Sequence, residues 1–180
     1  MIAKAFSLNS GMDACLGLYD DYYAAYVAAG QIADESETAA SREYAVAAFL
    51  CIAEGAAADA DVSALEAFSD AAEISGWYRT ELAAAVCAGI LRGYGDGTLR
   101  PQGTVRRVEA LVLLSRCLPE LETSGEPLRF SDVPAWARDD IDRLSAAGLV
   151  QGCGDGLLGA NDLLTVEQIG ILLERCFALR

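Results

Sequence analysis

The sequence predicts an all-α fold made of three helix-loop-helix repeats packed around a shared helical centre. Three observations predict it. Apolar residues make up 53% of the 180, and alanine, the strongest helix former, supplies much of that share. An ordered set of motifs occurs twice, and a weaker version precedes both. Within each copy, apolar residues at helical spacing flank a glycine-rich segment that must be a loop.

The repeat is read directly. Phe68-Ser69-Asp70 recurs as Phe130-Ser131-Asp132, and Trp77 as Trp136. Ala88-Gly89-Ile90 recurs as Ala147-Gly148-Leu149, Gly93–Gly97 as Gly152–Gly156, and Arg116-Cys117 as Arg175-Cys176. In the first helix of the middle unit, Leu82, Val86 and Ile90 share a face, and Gly89 suits its C-terminal cap. The second helix carries Leu111, Leu114 and Leu118 on one face. The last unit repeats this with Ile141, Leu144 and Gly148, then Ile169, Leu172 and Leu173. Helix pairs this short bury little alone, so the units are expected to share a core.

The first unit is degenerate. Phe6-Ser7 opens it, Tyr22 to Gly30 resembles a first helix, and Ser41-Arg42-Glu43 begins an alanine-rich stretch ending near Cys51. Its Gly-Asp-Gly segment is missing. The units are assigned to residues 1–67, 68–118 and 130–180, with 119–129 as a linker marked by Pro119, Gly125 and Pro127. Thr165 and Gln168 form a capping box for the last second helix, and Ser41 holds the matching cap in unit one. In unit two the cap position is Arg106, a poor cap, and Glu109 retains only the reciprocal half. A broken local rule of this kind suggests function or strain.

Charge and composition exclude several functions. The net charge is −14, from 13 basic and 27 acidic side chains, which disfavours general nucleic-acid binding. No histidine is present, so histidine-based triads and metal sites are excluded. Carboxylates, cysteines and tyrosines are what remains for catalysis, and no paired-carboxylate constellation stands out, so no enzyme and no cofactor is expected. The Gly-Asp-Gly segments lack the Asp-x-Asp ladder of a calcium loop, so no metal is expected either. No apolar run reaches the roughly 20 residues of a membrane span. Residues 1–10 do not read as a signal peptide. The six cysteines form no CxxC pair; they read as small buried hydrophobes, with disulfides as the alternative. Cys117 and Cys176 are repeat-equivalent and Cys51 nearly so, which places all three near the core.

These motifs resemble the S-layer homology domain. Unit two supplies Phe68-Ser69-Asp70, Gly89-Ile90, Gly93–Pro101 and Val105-Arg106-Arg107-Val108-Glu109. Unit three supplies Phe130-Ser131-Asp132-Val133-Pro134, Trp136, Gly148-Leu149 and Gly152–Gly156. The resemblance implies a helical prism with pseudo-threefold symmetry. It also implies non-catalytic binding of secondary cell-wall polysaccharide, often bearing pyruvate ketals, in grooves between repeats. The family's binding arginine maps onto Arg107 in unit two and Arg42 in unit one, whereas unit three has Val166 there. The implied setting is the cell wall or S-layer outside the cell, with the 180 residues a segment of a longer surface protein.

The placement of Arg107 has its own physical rationale. It lies in the first turn of a helix, where free N–H groups and the dipole favour an anion, and its guanidinium can grip a carboxylate with two parallel hydrogen bonds. The candidate ligand-binding residues are Arg107, Arg106, Trp77, Tyr78, Gly95, Asp96, Gly97 and Arg42. Trp77 and Tyr78 could offer a face to a sugar ring, although a position shared by Trp77 and Trp136 ordinarily marks core. Asp96 and Asp155 are more simply read as fixing their own turns. Charge distribution favours the middle unit: residues 68–118 carry six arginines against five carboxylates, while residues 1–67 carry two basic and eleven acidic side chains. The alternative function is a protein-interaction or surface-assembly module that kept the fold and lost the glycan site.

Overall fold

Five α-helices form the framework of the computed structural model, which describes residues 38–53 and 60–179. They are α1 (Arg42–Leu50), α2 (Arg79–Cys87), α3 (Arg107–Cys117), α4 (Arg138–Ala146) and α5 (Val166–Ala178). Short 3-10 helices at Val62–Ala67, Ala71–Glu73, Gly76–Tyr78 and Ala135–Ala137 lead into α2 and α4. Among the described residues there is no β-sheet, and no helix is long and apolar enough to cross a membrane. The all-α expectation holds. The expected Phe6-Ser7 opening and Tyr22–Gly30 helix lie outside the described residues.

Helix α1 is central. Its residues 43–49 are buried, and it packs against α2, α3 and α5. Beyond Arg42 and Glu43 the helix is apolar on nearly every side, an arrangement that is stable only when enclosed, and Ala45, Ala47 and Ala48 let its neighbours approach closely. Helices α3 and α4 pack on each other, with Leu111, Leu114, Ile141 and Leu144 fully buried. Most residues of the predicted faces therefore point inward, but Val86 is half-buried, Gly148 is exposed, and α2 ends at Cys87, before Ile90. Gly89 (φ 72°) and Gly148 (φ 77°) take the left-handed conformation expected after the first helix of each unit.

The starts of the three second helices are tied into a closed ring. Val105 N–H donates to Ala40 O, Ala40 N–H to Leu164 O, and Leu164 N–H to Val105 O, at 2.8–3.0 Å. The next residues repeat the cycle: Arg42 N–H bonds Gly103 O, Arg107 N–H bonds Asp162 O, and Val166 N–H bonds Thr38 O. Each helix start thus finds an acceptor for a first-turn N–H that has none within its own helix. Each start is also pinned to the loop of the following unit, which later decides where the grooves lie.

The Phe-Ser-Asp motif recurs because it clasps the glycine loop of its own unit. Ser69 N–H donates to Gly97 O and Ser131 N–H to Gly156 O. The Asp70 carboxylate accepts from Leu99 N–H (2.8 Å) and Arg100 N–H (2.7 Å). Asp132 accepts likewise from Leu158 and Ala160, both at 2.8 Å. Phe68 lies against Gly93 and Phe130 against Gly152, so closely that a Cβ on either glycine would collide with the ring. The repeated arginines at the ends of the second helices are staples: Arg116 donates to Ile90 O and Arg175 to Leu149 O, satisfying carbonyls beside the first helix's end.

Caps follow the sequence closely. Ser41 Oγ accepts from Tyr44 N–H at 3.3 Å, and Thr165 and Gln168 exchange both bonds of a capping box. Arg106 makes no side-chain cap, while Glu109 accepts from Arg106 N–H at 3.1 Å. The variant Arg106→Ser is therefore expected to stabilise the fold by about 0.5–1 kcal/mol. Urea unfolding with an unchanged m-value checks this.

Cys51, Cys87, Cys117, Cys153 and Cys176 are thiols, and no disulfide joins described residues. Cys117 and Cys176 are buried as expected, whereas Cys51 is half-buried and Cys87 and Cys153 are exposed, against the expectation of buried cysteines. Burial pushes the Cys117 thiol up to about 12, with a smaller contribution from Cys176; a thiol so placed is an inert core group.

Candidate ligand-binding grooves

Because each second helix is pinned to the following unit's loop, the predicted site residues divide between two grooves. The first lies between the start of α1 and the 93–103 loop of unit two. The second lies between the start of α3 and the 151–162 loop of unit three.

In the first groove, Arg42 is half-buried and its side chain is only 11% exposed. Its Nη1 donates to Tyr94 Oη at 3.2 Å and stands 3.8 Å from Glu109 Oε1. Tyr94 Oη donates in turn to Glu109 Oε1 at 2.7 Å. Burial, and then this bond to Glu109, raise the Tyr94 phenol above its ordinary value, so it remains a protonated donor. The Arg42 guanidinium lies 4.7 Å from the Tyr94 ring centroid, and that of Arg100 lies 4.2 Å from the same centroid. Both distances are within cation–π range.

Asp96 shapes the loop as its turn-fixing reading predicts. Its Oδ1 accepts from Thr98 N–H at 3.1 Å and Thr98 Oγ1 at 2.6 Å, and its Oδ2 pairs with Arg100 at 2.7 Å. The Thr98 hydroxyl, then Arg100, bring the Asp96 carboxyl down to about 2. Asp155, its repeat partner, works differently: it takes φ 51°, flanked by Gly154 and Gly156, both also at positive φ. Gly95 and Gly97 sit exposed on the loop, and Gly97 (φ 78°) needs the left-handed conformation.

The floor beside Arg42 is rigid. Glu43, the next residue, is buried and accepts from Ser75 N–H (3.0 Å), Ser75 Oγ (2.7 Å) and Gln102 Nε2 (2.9 Å). This binds α1 to unit two and holds the segment before Trp77 in place. The 3-10 helix Gly76–Tyr78 packs on α1.

In the second groove Arg107 is half-buried and its Nη2 reaches Gln151 O at 3.5 Å. Arg106 is exposed and turns to Asn161, bonding its backbone O at 3.3 Å and its Oδ1 at 3.2 Å. The 3-10 helix Ala135–Ala137, which carries Trp136, packs on α3. The residue matching Tyr94 is Cys153, whose thiol donates to Leu158 O at 3.3 Å, and the residue matching Arg100 is Gly159. At the third helix start Val166 is buried and offers no cation.

Three expectations need correction. Arg107 does not share its groove with Gly95, Asp96 and Gly97; those residues belong to the groove of Arg42. Trp77 and Trp136 are not core, being 72% and 60% exposed. Tyr78 is 2% exposed and cannot present its ring to a ligand. Sequence reasoning missed Tyr94, Arg100 and Trp136. An aromatic inside the glycine loop was the available signal for Tyr94.

One feature is common to both grooves. The Nε–H groups of Arg42 and Arg107, the same atom at repeat-equivalent positions, are buried without an acceptor among the described residues. Buried donors of a charged group are costly to leave unmatched. Each groove thus combines a cationic donor at a helix start with an exposed tryptophan on the neighbouring segment, within a helical repeat module.

Residues 67–111 and 129–168 both match the S-layer homology domain, so these two segments are S-layer homology repeats. It is 37% identical over 67 residues to a cellulosome-anchoring protein of Acetivibrio thermocellus, covering 36% of this chain and 15% of that protein. It is 30% identical over 126 residues to a surface-layer 125 kDa protein of Lysinibacillus sphaericus, covering 69% of this chain and 10% of that protein. An endoglucanase of a Bacillus species is 31% identical over 88 residues, which are 49% of this chain and 9% of the enzyme. The chain thus spans a small fraction of each relative's length.

Proposed function

We propose that this chain is a non-catalytic anchoring module that binds an anionic secondary cell-wall polysaccharide, with a pyruvate ketal carboxylate as the recognised group. The observation that carries the reading is the unmatched, buried Nε–H of Arg42 and of Arg107 at equivalent helix starts. A carboxylate on a sugar matches the guanidinium's planar donor edge, and an exposed tryptophan suits the apolar face of a sugar ring. The two S-layer homology segments and the names of the relatives, a cellulosome-anchoring protein and a surface-layer protein, support the same setting. The module then acts outside the cell, at the wall or S-layer, as part of a longer surface protein. Its units are residues 1–67, 68–118 and 130–180, the last two joined by the 119–129 linker, in the family's prism. The ring of hydrogen bonds joining Ala40, Val105 and Leu164 supports that arrangement.

The test is co-sedimentation with purified wall polymer before and after chemical removal of its pyruvyl groups. Retention on the intact polymer and its loss on the stripped polymer are expected. No retention on either overturns the anchoring reading; equal retention on both overturns the ketal.

A further inference from the structure

The two grooves differ at two positions that the family match does not interpret. Arg100 adopts φ 52°, a conformation that L side chains adopt at a cost, and the matching residue of unit three is Gly159 at φ 74°. Unit two thus places an arginine where the local backbone favours glycine. The side chain is held deliberately: Asp96 Oδ2 pairs with Nη2 at 2.7 Å, Thr98 Oγ1 accepts from Nε at 3.4 Å, and Asp70 fixes the backbone N–H. Its Nη1 has no protein partner among the described residues. The guanidinium shares the Tyr94 ring with Arg42, and Tyr94 is itself replaced by Cys153 in the other groove.

We propose that Arg100 is a specificity-determining residue of the first groove, supplying a second cation beside Arg42 so that this groove selects a ligand carrying two anionic groups. The second groove, with Arg107 but Gly159 and Cys153, takes a single anionic group. Tyr94 is the spacer that sets the two guanidiniums on one ring, and Asp96 with Thr98 keeps Arg100 from swinging into solvent. The proposal rests on the first groove being an anion site, and it assigns that site a ligand class with two negative charges on one glycan segment.

The experiment is an NMR titration of the full chain with malonate and with acetate at fixed ionic strength, followed at Arg42, Tyr94 and Arg107. Wild type is expected to bind malonate several-fold more tightly than acetate at Arg42 and Tyr94, with no such preference at Arg107. In Arg100→Gly the preference disappears, while thermal stability stays equal or rises because glycine relieves the left-handed backbone. An unchanged malonate preference in Arg100→Gly overturns the proposal, as does a wild type with no preference. Loss of the preference together with a fall in melting temperature assigns Arg100 a structural role and overturns it as well. Arg100→Lys keeps the charge and is expected to retain part of the preference. The titration is independent of wall binding. Malonate preference without polymer retention overturns the glycan reading alone, and retention without preference overturns the second-cation role alone.

Discussion

Arg42→Ala is expected to reduce retention on intact wall polymer by about tenfold or more, with the melting temperature little changed. A charge-assisted hydrogen bond contributes roughly 1.5–3 kcal/mol, and about 1.4 kcal/mol is a tenfold change in affinity. Arg42 lies in the first turn of α1, where the dipole adds to its charge. Its removal leaves Tyr94 with its stronger bond, the 2.7 Å donation to Glu109, so the groove wall keeps its shape. Arg107→Ala is expected to have the smaller effect, since the second groove has no counterpart of Tyr94 or Arg100. Polymer binding of both variants in parallel checks the ranking.

Gly93→Ala is expected to destabilise the fold by roughly 2–3 kcal/mol, near the upper range for single substitutions. Two causes add. Gly93 has φ 69°, and an added Cβ would stand 2.5 Å from Phe68 Cε1 and 2.9 Å from Thr98 O. The ring of Phe68 could shift, but the carbonyl belongs to the turn that receives Tyr94 N–H at 2.8 Å. Gly95→Ala is the control. It has ordinary φ and nothing within 4 Å of an added Cβ, so its effect is expected within about 0.5 kcal/mol. Thermal and urea unfolding of the two variants separate a constrained glycine from a merely repeated one.

The sequence was legible where physics is local. Ser41, Thr165 and Gln168 cap their helices as their side chains dictate, and Arg106 fails to cap as an arginine must. Gly89 and Gly148 end first helices, and Asp96 fixes its turn. What was not legible is which unit's loop faces which unit's helix. A repeat offset relates positions within units but says nothing of neighbours, and the hydrogen-bond ring pairs every second helix with the next unit's loop. That is why one candidate set joins Arg107 to Gly95–Gly97, whereas Arg42 holds the place beside that loop. The tryptophans misled for a related reason. A shared position marks a shared environment, and here that environment is exposed. The buried partner is one residue on, at Tyr78 and Ala137, about 120° further round a 3-10 turn. Arg100 could not be found at all, because its left-handed backbone carries no signal when the residue is not glycine.

The net charge of −14 acquires a more local meaning in this arrangement. Acidic side chains outnumber basic ones across the chain, yet Arg42 and Arg100 meet at one tyrosine in a groove between unit one and unit two. Their nearest carboxylates, Glu109 and Asp96, are engaged in holding Tyr94 and Arg100.

The central claim is that the groove of Arg42, Tyr94 and Arg100 receives the anionic group of the wall polymer. An NMR titration with a short pyruvylated oligosaccharide cut from that polymer tests it most directly. The account predicts saturable shifts at Arg42, Tyr94 and Arg100 that exceed those at Arg107 and are absent at Val166. Shifts confined to Arg107 and the 151–162 loop, or no saturable shifts at either groove, would contradict it.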